Sequence, residues 1–247
     1  MLTAVVLTKN ESFIVSRCLA SLKFADRLLV IDDNSTDDTV AIAKKYKARV
    51  LPHPIKGDFS AARNFALSRI RSGWVLFIDA DEVVSAPLAA EITAAVQTSA
   101  HSAYFLTRQD ILWGKTLLYG DTGRHRIIRL GWSGSGKFTG AVHETWHISG
   151  SVGLLRSPLY HYPHPDLASF LRHLNLYSTL RANELFTSHH PARLWPIILF
   201  PPGKFFHLYL LKFGFLDGVV GLIHALVMSF YTFLVRGKLY LLSRGIS

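Results

Sequence analysis

Trp74-Val75-Leu76-Phe77-Ile78-Asp79-Ala80-Asp81-Glu82 decides how the chain is read. The apolar run reads as a buried strand, and it ends in three acids within four residues. A carboxylate at such a strand end has few local partners. Asp79 and Asp81, at i and i+2, are spaced to grip a divalent cation and the ribose-diphosphate it carries. Mg²⁺ and Mn²⁺ favour oxygen ligands and complete their shells with substrate phosphates. The Asp-x-Asp pair alone is common in loops and helix caps; the strand before it gives it weight.

Upstream, apolar runs alternate with helical patterns. Strands are predicted near residues 4–7, 27–31, 48–51 and 74–78, and helices over 12–22, after Asp37-Asp38, and over 61–69. That alternation is the signature of βαβ units, hence an α/β fold with a mostly parallel sheet and flanking helices. Ligands of open parallel sheets sit at the carboxyl ends of the strands. Three strands end in polar residues there: Leu7 into Thr8-Lys9-Asn10-Glu11, Ile31 into Asp32-Asp33-Asn34-Ser35, and Ile78 into Asp79-Ala80-Asp81-Glu82. These ends are expected to converge on one edge.

Asp33, directly on a strand end, suits base recognition, since a carboxylate accepts the imide N–H of uracil. Asp37 or Asp38 reads as the N-cap of the next helix. Arg63 has two readings, a contact to the nucleotide or a structural ion pair with one of the acids.

Downstream the pattern shortens to β-like stretches at 103–107, 125–130 and 151–155. They are separated by Gly131-Trp132-Ser133-Gly134-Ser135-Gly136-Lys137. That segment lacks the spacing of a phosphate-binding G-x-x-x-x-G-K-[ST] loop and reads as a flexible surface loop. A helix is expected over 167–185, capped by Asp166.

The 247 residues are 49% hydrophobic and 18% charged, a composition that argues for a folded protein rather than disorder. The lone Cys18 has no partner for an intramolecular disulfide and reads as a small buried apolar residue. The formal charge is +10. Residues 191–247 carry six basic side chains and one acid, while 1–190 carry 21 basic and 16 acidic, so each part contributes +5. The basic tail is also the most apolar part. Its run Gly218 to Val235 has His224 as the only side chain that ionises near neutral pH, and Lys204-Phe205-Phe206-His207-Leu208-Tyr209-Leu210-Leu211-Lys212 precedes it. That mixture of basic, aromatic and apolar residues favours an anionic membrane surface over nucleic acid, for which no motif is present. One or two helices lying in the cytoplasmic leaflet are expected, with a spanning helix and a buried oligomer interface as alternatives.

Taken together, Val5-Val6-Leu7-Thr8-Lys9-Asn10-Glu11, Val30 through Asp37, Gly57 through Asn64 and Phe77 through Glu82 resemble the family 2 glycosyltransferases, which have a GT-A fold. Thr8 through Glu11, Gly140-Ala141-Val142-His143-Glu144 and Gly214-Phe215-Leu216-Asp217-Gly218 resemble the lipopolysaccharide-core β-glucosyltransferase branch. The resemblance implies a GT-A domain over 1–190, with its nucleotide-sugar part at about 1–100 and its acceptor part at about 101–190. A membrane-associating helical tail follows over 191–247. It implies a nucleotide-sugar pocket built by Thr8, Asn10 and Glu11, with Asp33 and Arg63 at the base, Asp79 near the ribose or sugar, and Asp81 on Mg²⁺ or Mn²⁺. It also implies an inverting transfer from a UDP-sugar, glucose by resemblance, to a lipid-linked saccharide on the cytoplasmic face of the inner membrane.

Such a transfer needs a cation at the leaving diphosphate and a carboxylate to take the acceptor proton. Glu144 is the candidate base, with Asp121 and Glu82 in reserve. His161 is a further candidate contact to diphosphate or metal, although neither zinc-finger spacing nor His-Glu-x-x-His occurs. Two competing readings are transfer onto a polyprenyl phosphate, which needs no base, and a non-catalytic membrane adaptor on a nucleotide-binding fold.

Overall fold

The computed structural model describes residues 1–55, 57–122, 125–140, 144–164 and 166–246. Ala141, Val142 and His143, part of the motif leading to Glu144, lie outside the described residues. The chain forms two compact units, one of Met1–Arg108 with His125–His161, the other of Gln109–Arg124 with Tyr162–Ser247.

The first unit opens with β1 (Leu2–Thr8), α1 (Val15–Ser21), β2 (Arg27–Asp32), α2 (Thr39–Lys45), β3 (Arg49–Pro52), α3 (Phe59–Ser68), β4 (Trp74–Asp79), β5 (Glu82–Val84) and α4 (Ala86–Thr98). It continues with β6 (Ala103–Leu112), which leaves the unit after Arg108. After β7 (Lys115–Thr116), which belongs to the second unit, come β8 (His125–Trp132), β9 (Gly136–Thr139), β10 (Thr145–Ile148) and β11 (Val152–His161). The sheet runs β3-β2-β1-β4-β8-β6-β11-β5, parallel from β3 to β4 and antiparallel from β4 through β8 to β6.

The central parallel strands β1, β2 and β4 are buried on both faces because each carries a continuous apolar run rather than alternate apolar positions. Ala4, Val6, Val30, Leu76 and Ile78 face one core, which Cys18 and Leu19 of α1, Ala43 of α2 and Leu88 and Ile92 of α4 complete. The alternate residues Val5, Leu7, Leu29, Ile31, Val75 and Phe77 face the other, against Ala62 and Ala66 of α3 and against Phe138 and Trp146. Register fixes the expected edge: Leu7 lies opposite Asp79, and Thr8 opposite Asp32.

Residues 131–137 are not a flexible loop. Gly131 and Trp132 finish β8, and Gly136 begins β9 after a tight turn closed by Ser135 N–H donating to the Trp132 carbonyl. The glycines serve close approach: a Cβ on Gly131 would lie 2.8 Å from the Trp146 ring, and one on Gly136 only 1.8 Å from the His147 carbonyl oxygen. Asp38 stands at the N-cap position of α2 without capping it. Asp37 instead accepts from the backbone N–H groups of Ser12 and Thr39.

In the second unit, β7 pairs with the outer end of β6. The helices are α5 (Leu167–Thr187), α6 (Trp195–Phe206), which runs on into a π-helical turn His207–Leu211, and, after a 3-10 turn Gly214–Asp217, α7 (Gly218–Ser243). Asp166 caps α5 in a reciprocal box with Ser169, as its sequence suggests. Leu185 and Ala182 of α5 pack on Val235 and Leu239 of α7, and Phe170 and Leu174 on Val227. The Lys238 ammonium of α7 donates to Asn175, Ser178 and Thr179 of α5. Asp217 ties down the segment after β7 by accepting the N–H groups of Leu118 and Tyr119.

Candidate active site

The carboxyl edge of the parallel strands in the first unit carries a chain of alternating charges. Arg63, from α3, is 2% exposed. Its Nε donates to Glu144 Oε1 at 2.7 Å and its Nη2 to Asp79 Oδ1 at 2.8 Å. Arg129 of β8 donates to the other Asp79 oxygen at 2.5 Å and lies 3.9 Å from Glu82 Oε1. Arg108 of β6 also lies 3.9 Å from Glu82 Oε1. α3 starts where it does because Asp58 caps it, accepting from Ala61 N–H; on the helix so begun, Arg63 faces the sheet, its guanidinium 5.6 Å from the ring centres of both Phe77 and Phe138.

These pairs set the protonation of the edge. Burial pushes the Asp79 carboxyl up, but Arg129 and then Arg63 outweigh it and hold Asp79 well below the usual carboxylate range. Burial raises Glu82, with Arg129 opposing. Glu82 Oε2 accepts the Asp79 N–H, so this fully buried side chain braces the Asp-x-Asp turn and has no route to an acceptor. Asp121, the other reserve base, lies in the second unit, where Lys204 and Lys212 both donate to it. Glu144 is the carboxylate that stands at the edge with one oxygen, Oε2, outside the Arg63 bridge.

Asp81 sits beside His161, Nε2 to Oδ2 at 3.2 Å, because β11 pairs with β5 in a register that puts His161 opposite Glu82. Glu11 is pushed up to about 7 by burial, by Asp81 and by Asp37. Among the described residues no group of three or more His, Cys, Asp or Glu converges as a complete metal cage. A carboxylate and an imidazole with further negative charge behind them are instead a partial donor set. Such a set fits Mg²⁺ or Mn²⁺ that takes the rest of its shell from phosphates and water.

The other predicted residues divide. Thr8 ends β1 with its buried hydroxyl lacking a hydrogen-bond partner. Asp33 takes Lys9 Nζ at 2.9 Å and the Ile55 N–H at 3.0 Å, and these bonds outweigh burial to lower its pKa. Asn10, at φ 54°, spends its side-chain oxygen on the Thr36 N–H at 2.7 Å, and its own N–H goes to Ser35 Oγ. Glu11 N–H goes to Thr39 Oγ1. Asn10 thus staples the β1 end to the loop after β2, and Glu11 to the first residue of α2. Arg63 Nη1 and Glu82 Oε1 are both buried without a hydrogen bond, the latter held only by the more distant Arg108 and Arg129 charges, so the edge holds polar atoms whose hydrogen bonds the chain itself does not supply. Arg129 is absent from the sequence reading. Its signal is a cation inside the apolar strand Ile127-Ile128-Arg129-Leu130, where a buried charge demands a partner.

Residues 3–160, nearly the whole span of the first unit, match Glycosyl transferase family 2. An uncharacterized glycosyltransferase of Rickettsia conorii is 29% identical over 256 residues, covering 96% of this chain and 89% of the relative. The lipopolysaccharide core biosynthesis glycosyltransferase LpsC of Rhizobium meliloti is 27% identical over 248 residues, covering 97% of this chain and 92% of LpsC. The crystal structure of S. aureus TarS 1-349 shares the fold at TM-score 0.51 and 15% identity, covering 99% of this chain and 91% of that one; the same protein in complex with UDP aligns at 0.50. With its GT-A fold and acid-lined sheet edge, the chain belongs to glycosyl transferase family 2.

Proposed function

We propose that this glycosyltransferase moves a sugar, glucose by resemblance, from a UDP-sugar to a hydroxyl of a lipid-linked glycan such as lipopolysaccharide core, with inversion. The observation that carries the reading is the shared guanidinium of Arg63, which holds the carboxylates of Asp79 and Glu144 on one edge. Asp79 then faces the ribose or sugar. Glu144 bonds the same guanidinium through Oε1, which leaves Oε2 to take a proton. Thr8, Asn10, Glu11 and Asp33 line the nucleotide side, and the UDP complex of TarS supports a uridine donor. LpsC supports a lipopolysaccharide-core acceptor.

Asp81, with His161, is the place for Mg²⁺ or Mn²⁺, whose chemistry is to neutralise the charge that develops on a departing diphosphate. In the transfer, the acceptor oxygen bonds to the anomeric carbon as the carbon–oxygen bond to the diphosphate breaks. The electron pair leaves with the nucleoside diphosphate, and the hydroxyl proton passes to Glu144 Oε2. Arg63 holds Glu144 by its other oxygen, which orients the base while leaving its acceptor site open.

The second unit is the membrane anchor in this reading, on the cytoplasmic face. Among the described residues one segment, Gly214–Ser243, is long and apolar enough to cross a bilayer, and 28% of its most apolar window is buried in the protein. The exposed side chains Trp195, Ile198 and Leu199 of α6, Leu211, and Val219 of α7 give the unit an apolar surface suited to one leaflet. Assaying UDP release from UDP-glucose, with core lipopolysaccharide as acceptor, tests the reading. Glu144→Gln keeps the Arg63 bond but cannot take a proton. If that variant turns over at the wild-type rate, the hydroxyl mechanism loses its base, and transfer onto an acceptor that is already an anion, such as a polyprenyl phosphate, becomes the better reading.

A further inference from the structure

At the amino ends of the parallel strands, opposite the catalytic edge, the first unit has a cleft of about 1310 Å³. Four arginines line it: Arg27 and Arg49 at the starts of β2 and β3, and Arg69 and Arg71 beyond the end of α3. Lys23, Lys45 and Lys47, at and beyond the ends of α1 and α2, add three ammonium groups. Asp26 is the one carboxylate in the lining, and its Oδ2 is engaged by the Leu2 N–H at 2.7 Å. Seven cations against one anion leave six unit charges in excess. All seven cationic residues are exposed, and among the described residues none of them is in an ion pair.

Helix dipoles explain part of this. Basic residues collect at helix carboxyl termini because each end carries about half a negative charge. Three helix ends account for roughly one and a half charges, and Arg69 lies over the Phe65 ring at 4.6 Å; more than half of the excess is left without a structural purpose. Arg27 and Arg49 begin strands and serve no helix end. A concave site walled by protein focuses such a field far more than a flat face does. Guanidinium forks match phosphate oxygens two at a time. Tyr46 and Ile70 add apolar surface to the lining for the non-phosphate part of a ligand. The volume lies above the roughly 300–1,000 Å³ of ordinary small-molecule sites, which gives room for several phosphate groups.

We infer that this cleft is a second ligand site, one that binds a free, multiply phosphorylated solute. The ligand is not the sugar donor: β1 alone, seven residues long, separates the cleft from the catalytic edge by about 20 Å at roughly 3.3 Å per residue. It is not a bilayer either, because the cations line a concavity that a phosphate-bearing solute enters and a lipid surface does not.

Titration calorimetry of the full chain with inorganic tripolyphosphate, in EDTA at 0.15 M salt, tests this. The wild type binds, more weakly as salt rises. The triple variant Arg27→Gln/Arg49→Gln/Arg71→Gln loses at least ten-fold in affinity with an unchanged thermal melt. Should the triple variant fail to fold, Arg49→Gln and Arg71→Gln singly each weaken binding several-fold. Asp81→Asn, at the opposite edge, binds as the wild type does. Four outcomes overturn the inference: no binding to the wild type, undiminished binding to the arginine variants, loss of binding in Asp81→Asn, and binding to phosphatidylglycerol vesicles without binding to tripolyphosphate. Since the donor is not needed, failure here leaves the transferase reading untouched.

Discussion

Arg63 shows how one residue organises the edge. It is nearly sealed from solvent, so its charge is tolerated only because Asp79 and Glu144 answer it. Arg63→Ala leaves two carboxylates without their shared partner, and urea unfolding should show a loss on the order of 3 kcal/mol. Glu144→Gln keeps a hydrogen bond to Arg63 but removes one of its two balancing charges, so it should lose less stability than Arg63→Ala, while kcat drops by roughly 10²–10⁴-fold, the range for loss of a general base. Both readings of Arg63, nucleotide contact and ion pair, were open in the sequence. The pair with Glu144 joins positions 81 residues apart and has no local signature. Asp79 and Asp81 were legible because an apolar strand ended on them. Arg129 was legible only as a charge out of place in an apolar strand.

At the scale of elements, the parallel strands and their helices follow from the alternation of apolar runs, and their boundaries move by at most three residues. The turn from β8 into β9 does not. Glycine and serine there mimic a loop in composition, whereas their function is to let backbones and the Trp146 ring approach. Gly136→Ala places a methyl against the His147 carbonyl and should lower the melting temperature measurably, with the β9–β10 pair the first to lose hydrogen-exchange protection. The segment after β7 depends on acidity. Burial raises Asp121, but Lys204 and Lys212 outweigh it, so the folded pKa lies below the unfolded one. The stability it contributes is therefore complete above about pH 4 and is lost as pH falls through the folded value. The stability difference between wild type and Asp121→Asn, followed by urea unfolding, should be flat from pH 7 down to about pH 5 and shrink below about pH 4.

For the whole molecule, composition located the basic and apolar tail, but not its partnership with α5 in the second unit, which depends on tertiary packing at positions such as Leu185 and Leu239. The exposed apolar residues of that unit make a separate prediction. Leu211→Asp/Val219→Asp, at positions 72% and 71% exposed, should abolish flotation with anionic vesicles and leave the thermal melt unchanged. Soluble wild-type protein that never floats would remove the membrane role.

The central claim is that the acid-lined edge binds a nucleotide-sugar through a divalent cation held at Asp81. Calorimetry of UDP binding with and without Mn²⁺ tests it most directly. Binding that appears with Mn²⁺, disappears in EDTA and falls at least ten-fold in Asp81→Asn is the result expected. UDP binding that is indifferent to both the cation and the substitution would contradict it.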